Sequence, residues 1–323
     1  MKRDVQLSLT LYSLSWEFCT GKLSVEDCLR KAKEMGYTGI ELVAAQTIPG
    51  YPYPSDEWVE EFTGLLKKYD LTPECYSAYI DMGTRFGEDL TEAEIFEITL
   101  SDMVLSKRMG FKVCRTQHAI GPKMFEQMIP YAKELGVILA IEMHAPHTPE
   151  VPVWKELLEV MSRSEGWLGV VPDFSIFAET PHKLHKIQAV EEFGCRPEMV
   201  EDIVARHGAG ATQDELMADD KYTDKEKVFV DEVYHNYAPA HLEWLDILLP
   251  YTVYCHGKFW YIEEDEKDTT TPCDKILPII RDYGFKGFIA SEYEGHHFDE
   301  TIDTCEQLQR WVNMANRALG YID

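Results

Sequence analysis

The sequence predicts an α/β protein of one domain, a (β/α)8 barrel in which eight parallel strands alternate with helices. Three observations carry this: a strand-then-helix unit recurs about eight times, the strand segments are short apolar runs with little alternation, and several helical patterns stop at a glycine just before the next strand. Such runs suit strands covered on both faces, by helices outside and by packed side chains inside. A chain of 323 residues accommodates one barrel with an insertion, and no linker or shift in composition divides residues 1–323.

Strand one spans residues 6–13, with Leu7, Leu9 and Leu11 alternating. Ser24 then caps a helical pattern of Val25, Leu29, Ala32 and Met35 that stops at Gly36. Strand two follows at 39–43, and a helix from about Ser55 carries Trp58, Phe62, Leu65 and Leu66 at helical spacing. Strand three spans 72–80. Thr91 and Glu94 form a capping box that opens a long helix ending at Gly110. Strand four spans 113–118, a helix runs from about Pro122 to Gly136, and strand five spans 137–144. Strands six, seven and eight are expected at 168–175, 251–260 and 287–292, with Gly284 ending the last helix before strand eight.

The segment 178–248 breaks this rhythm. It is rich in His, Asp and Glu, holds a break at Gly208 and Gly210, and is expected to form two or more helices. Because it leaves from the carboxyl end of strand six, the segment is positioned to act as a lid or to meet a partner.

Composition narrows the function. With 57 acidic against 31 basic residues, the formal charge is −26. That field repels polyphosphate, and the basic residues are scattered among acids, so a nucleic-acid partner is not expected. The eight cysteines form no C-x-x-C pair, which suits unpaired thiols in a reducing compartment. The apolar run after Met1-Lys2-Arg3-Asp4 is broken by Gln6, Ser8 and Thr10, unlike a secretory leader, and no segment is long enough to span a bilayer. A cytoplasmic protein with no membrane partner is the expectation.

The chemistry sits at strand ends. A polar residue at the carboxyl end of a barrel strand points toward the shared mouth. Strands five to eight carry Glu142, Asp173, His256 and Glu292 at that position, each directly after apolar residues where an unpaired charge is costly. Three carboxylates and one imidazole suit one divalent metal, Mn²⁺ or Mg²⁺, with open positions for water or substrate, better than a thiolate zinc site. Around this set, Tyr12 and Trp16 follow strand one, His118 ends strand four, Phe174 follows strand six, and Lys258 and Trp260 lie on strand seven. They are candidate substrate contacts, since aromatics stack on sugar rings and aryl groups. His144, two residues beyond Glu142, is the candidate base, with His147 nearby.

With Leu7-Ser-Leu-Thr, the 36–42 segment Gly-Tyr-Thr-Gly-Ile-Glu-Leu, and the order Glu142, Asp173, His256, Glu292, the chain resembles the xylose-isomerase-like TIM barrels, the sugar phosphate isomerase/epimerase superfamily. That resemblance implies one divalent metal, Mn²⁺ before Mg²⁺, Co²⁺ or Zn²⁺, a metal-polarised carbonyl and proton transfer beside it, with Glu142 and Glu292 as acid and base in an isomerase or epimerase. Departures matter. Ketose epimerases place a His three residues after the strand-six Asp, where this chain has Ile176, and an Arg soon after the strand-seven His, which is missing here. The family's DNA-repair endonucleases need further His ligands that strand three does not offer. The pattern is most similar to the catalytic alpha subunits of bacterial C-glycoside deglycosidases. The resemblance implies a 3-oxo aryl C-glycoside as substrate, C–C cleavage by elimination, and a small β-rich partner subunit. A ketose isomerase or epimerase, and a non-catalytic sugar-binding barrel, are the alternatives.

Overall fold

The computed structural model describes residues 3–322; Met1, Lys2 and Asp323 lie outside the described residues, and with them part of the segment read for a leader. Eight parallel strands form one sheet in the order β6-β5-β4-β3-β2-β1-β8-β7. They are β1 Val5–Thr10, β2 Gly39–Val43, β3 Thr72–Ser77, β4 Val113–Thr116, β5 Ile138–Met143, β6 Leu168–Pro172, β7 Cys255–Phe259 and β8 Gly287–Tyr293. The sheet curls so that β6 meets β7 through bridges between Val170 and Thr252 and between Asp173 and His256. The result is a nearly closed (β/α)8 barrel of the kind read from the sequence.

Helices surround it, the principal ones being named here in chain order. Helices α1 Val25–Glu34, α2 Asp56–Lys68 and α3 Glu92–Met109 follow β1 to β3; α4 Gly121–Gln127 and α5 Ile129–Leu135 follow β4; α6 Pro152–Ser162 follows β5. After β6 come α7 Lys183–Glu191, α8 Pro197–Gly208, α9 Gln213–Met217, α10 Asp224–Asn236 and α11 Trp244–Leu248. Helices α12 Cys273–Tyr283 and α13 Thr304–Ala318 follow β7 and β8. The capping signals are realised: Thr91 and Glu94 exchange both bonds of a capping box, and Gly110 closes α3 at φ 84°, a left-handed turn that only glycine adopts cheaply.

Several strands are shorter than their apolar runs. β1 ends at Thr10, and Leu11–Leu14 coils into a 3-10 turn. There the Ser13 hydroxyl donates to the Ser291 carbonyl (2.9 Å) and accepts from the Tyr293 amide (2.9 Å), which docks the turn on β8. Likewise Leu249–Tyr251 is a 3-10 turn and β7 begins only at Cys255. Hydrophobic pattern marks burial, not hydrogen bonding, so turns packed on the barrel read as strand.

The insertion is a compact unit. Helices α7 to α10 bury their own apolar cluster, with Ile203, Leu216, Phe229 and Val233 at its centre. An ion pair from Arg196 to the buried Glu226 (2.7 Å) ties α8 to α10. Among the described residues, no helix is long and apolar enough to cross a membrane. All eight cysteines are free, and six are buried.

Strand parity builds the interior in tiers. Cys75, Val113, Ala140, Val171, Tyr254 and Ala290 form one apolar cluster inside the barrel. Two residues further along each strand come Ser77, Arg115, Glu142, Asp173, His256 and Glu292. Side chains two apart share a face, so these groups form the next tier toward the carboxyl ends.

Candidate metal centre

Glu142, Asp173, His256 and Glu292 converge, with one ligand atom from each lying within 4.8 Å of the others. His256 is fully buried, Asp173 likewise, and Glu292 is 6% exposed. His256 Nδ1 lies 2.6 Å from Glu142 Oε1 and 3.3 Å from Glu292 Oε2. On the far side of the ring, Nε2 meets Glu41 Oε2 at 2.8 Å. Both nitrogens face carboxylates, so each can carry a proton in this structure; with a cation among the four side chains, Nδ1 would turn its lone pair on it and Nε2 would keep its proton toward Glu41.

Two residues that the sequence reading did not single out complete the tier. Glu41, on β2, is fully buried and takes a hydrogen bond from the Ser77 hydroxyl. Arg115, on β4, donates from Nη1 to Glu142 Oε2 (2.7 Å) and from Nε to Ser77 Oγ (2.9 Å). Lys258 Nζ sits 3.1 Å from Asp173 Oδ2, 3.2 Å from Glu294 Oε1 and 3.5 Å from Glu292 Oε2. Five carboxylates thus face two permanent cations, a surplus of negative charge in a buried tier.

The carboxyls respond differently. Burial raises Glu142, but Arg115 and His256 overcome it and hold the group well below the ordinary carboxylate range. Glu292 has no arginine behind it. Burial outweighs His256 and Lys258 there and pushes its carboxyl up to about 7. Burial works against a charge on His256, yet Glu292, Glu41 and Glu142 raise its imidazole well above the usual value.

This donor set fits a divalent cation. Asp173 Oδ2 and Glu292 Oε2 are buried and accept no hydrogen bond, although the Lys258 ammonium lies 3.1 and 3.5 Å from them, and both belong to the convergent cluster. Buried carboxylate oxygens without hydrogen bonds are costly, and a cation between them would remove the cost. Oxygen donors predominate, as hard divalent ions prefer.

Beside the cluster is a small chamber of about 190 Å³, whose wall includes Tyr12, Tyr79, Arg115, His144, Lys258 and Glu292. His144 is therefore close to the four convergent side chains without being one of them. Its Nδ1 lies 2.7 Å from the Ala145 carbonyl, which can only accept. The proton is on Nδ1, and Nε2 has a free lone pair.

Of the expected substrate contacts, Tyr12 and Lys258 line this inner chamber, and Trp260 lines a second one adjoining it. Phe174 is corrected: it is fully buried in the main core, because the chain leaves β6 in a 3-10 turn at Phe174–Phe177 and the ring turns into the packing layer. Trp16 is half-buried on the short helix Ser15–Cys19 beside Lys22, and His118 is exposed with its ring 4.6 Å from His147. The structure brings neither to the wall of these two chambers; at β4 that place is taken by Arg115 and Gln117.

Comparison with known proteins adds a context to this geometry. A profile of the xylose isomerase-like TIM barrel family matches residues 29–194. A 3'-dehydrocarminate deglycosidase alpha subunit from Microbacterium sp is 27% identical, over 98% of this chain and 96% of that protein. A C-glycoside deglycosidase alpha subunit from Arthrobacter globiformis is 27% identical, over 98% of this chain and 92% of the relative. Among solved structures, a sugar phosphate isomerase/epimerase from Parabacteroides distasonis ATCC 8503 superposes with a TM-score of 0.59 at 12% identity, covering 99% of this chain and 96% of that one.

Proposed function

The chain belongs to the xylose isomerase-like TIM barrel family, and from that premise we propose that it is the catalytic subunit of a metal-dependent lyase that cleaves 3-oxo aryl C-glycosides. One observation carries the proposal: His144, whose Nδ1 is held by the Ala145 carbonyl, lines the same small chamber as Glu142 and Glu292. The curated relatives over nearly the whole length carry the name of that activity, which supports it.

A divalent cation held by Glu142, Asp173, His256 and Glu292, Mn²⁺ before others, supplies Lewis-acid polarisation of the sugar carbonyl. His144 Nε2 takes the proton from the ring carbon beside that carbonyl. The C–H electron pair becomes a ring double bond conjugated with the ketone. The bond to the aryl carbon breaks with its pair on that carbon, which is then protonated to give the free aglycone. Arg115 and Glu41 hold the ligand carboxylate Glu142 and the ligand imidazole His256 in place. Tyr12 and Lys258 contact the sugar from the chamber wall.

The proposal includes a small β-rich partner subunit, supported by the alpha-subunit names of the relatives. It also includes a cytoplasmic site of action, supported by the eight free cysteines. The test is release of aglycone from a 3-oxo-C-glycoside by the Mn²⁺-loaded chain, with and without such a partner. Elemental analysis runs beside it on wild type and on the Glu142→Ala/Glu292→Ala double variant. About one equivalent of metal, lost in the variant, with aglycone released by the wild type alone, is the expected result. A chain that epimerises a free ketose and releases no aglycone overturns the reading.

A further inference from the structure

The inner chamber opens on a second one of about 380 Å³, and His144, Lys258 and Glu294 border both. The two differ in chemistry. The inner wall is charged, with Arg115, Glu142, Lys258, Glu292 and Glu294. The outer wall keeps Lys258 and Glu294 and adds Glu232, but it also carries a group of aromatic and imidazole rings, His182, His185, Tyr237, Trp260 and Phe298. His182 lies flat on Trp260, with ring centroids 5.1 Å apart and planes 7° apart, and meets the ring of Phe298 edge-on at 4.5 Å.

His182 is 1% exposed and its Nδ1 accepts the backbone N–H of His185 at 3.1 Å. The ring proton is therefore on Nε2. His185 is 4% exposed and holds Tyr237 through Nδ1 (3.0 Å). Burial keeps both imidazoles uncharged, pulling His182 well below its ordinary value and His185 down to about 4. A neutral donor between aromatic surfaces suits a flat ring that carries an oxygen acceptor. It suits a free sugar poorly, since a sugar presents hydroxyls all round and the charged inner wall satisfies them better.

Six of the fourteen residues of this wall come from the insertion. His182 and His185 sit at the start of α7, and Glu232, Asn236 and Tyr237 lie at the end of α10, facing Trp260 of the barrel. The volume exceeds the ~150 Å³ of a cavity that holds benzene, so one or two fused rings fit.

We propose that the outer chamber is the site for the aryl half of the substrate, a planar hydroxylated aromatic group, and that His182 and Asn236 of the insertion determine which aryl group is accepted. The bond that breaks then lies at the junction, where His144 borders both chambers. The assignment rests on the reading of the inner chamber as the seat of the glycosyl group.

Binding of 2-naphthol to the full chain, followed by ligand-observed NMR titration, tests the site without turnover. His182→Phe keeps the stack on Trp260 and removes the donor; about tenfold weaker binding is expected. Asn236→Ala, on the exposed end of α10, cannot unfold the barrel and is expected to weaken binding at least threefold. Glu142→Ala/Glu292→Ala is expected to leave binding within twofold. Equal binding by wild type and both chamber variants, or no binding by the wild type, overturns the aryl assignment even if 3-oxo-C-glycosides are cleaved. Binding that follows the expected pattern in a chain that cleaves none of them sinks the lyase reading and leaves the aryl site standing.

Discussion

Glu41 Oε2 and His256 Nε2 stand 2.8 Å apart, both residues fully buried, on strands β2 and β7 that lie across the barrel from each other. The contact holds the ring so that Nδ1 faces Glu142 and Glu292, which gains a consequence in the proposed metal centre. With the proton held toward Glu41, Nδ1 is left as the donor atom, and the carboxylate makes that nitrogen more basic.

Replacing Glu41 with Gln keeps the shape and removes the charge. Its amide can offer either an acceptor or a donor to the ring, so the imidazole tautomer is no longer enforced. Mn²⁺ affinity is expected to fall roughly 10–100-fold, the usual effect of losing such a partner. Competition with a fluorescent chelator measures it; unchanged affinity would show that Glu41 does not orient the ligand.

Gly257 lies between His256 and Lys258, and its small size is required by packing. A Cβ there would run into Trp311 Cζ2 of α13 and approach the Ala290 carbonyl to 3.1 Å. Trp311 is fully buried and stacks on Phe259 at 6.0 Å, so it cannot swing away. Gly257→Ala is expected to cost about 1–3 kcal/mol of stability and to weaken metal binding by shifting β7. Thermal unfolding with and without Mn²⁺ reads both; an unaltered melting temperature would mean that α13 gives way freely.

The site and fold were legible to different depths. Glu142, Asp173, His256 and Glu292 stand out because each closes an apolar strand segment, where a charge needs a reason. Glu41 and Arg115 obey the same rule, in Gly-Ile-Glu-Leu-Val and Val-Cys-Arg-Thr, and the available signal was parity: each stands two residues past a small or apolar interior position. Phe174 misled because strand pattern was carried past Pro172, where the backbone coils and the side chain changes layer. The outer chamber was not legible at all. It depends on how α7 and α10 pack against Trp260, and helix periodicity carries no information about that docking.

Acid should loosen the insertion. The ordinary histidine value is 6.5, and burial brings His185 down to about 4 in the folded chain. Between these values the unfolded chain binds a proton that the folded chain refuses. The stabilisation is therefore complete above pH 6.5 and is lost as pH falls toward 4. Asp268, raised by burial to about 7, acts in the opposite sense, since it gains stability on acidification. The two are separated by substitution: His185→Phe is expected to lose less melting temperature between pH 7 and pH 5 than the wild type does. An equal loss would place the acid sensitivity elsewhere.

His144 carries the sharpest prediction, because the reading assigns it a proton and not a metal. Its Nδ1 is committed to the Ala145 carbonyl, and Nε2 is the atom left to act. His144→Gln keeps a polar side chain of similar reach but removes the base. If His144 is the proton acceptor, aglycone release should fall by roughly 10²–10⁴-fold, the range for loss of a positioned acid–base group. Metal content should stay at the wild-type level, since His144 is outside the four-residue cluster. Exchange of the ring proton beside the ketone with deuterated solvent, followed by NMR in the absence of cleavage, should be lost in the same proportion. A variant that still exchanges that proton but no longer releases aglycone would move His144 from the abstraction step to departure of the aryl group. A variant that retains both would hand the base to Glu142 or Glu292, as in the isomerase scheme, and the lyase reading would then lose the observation on which it stands.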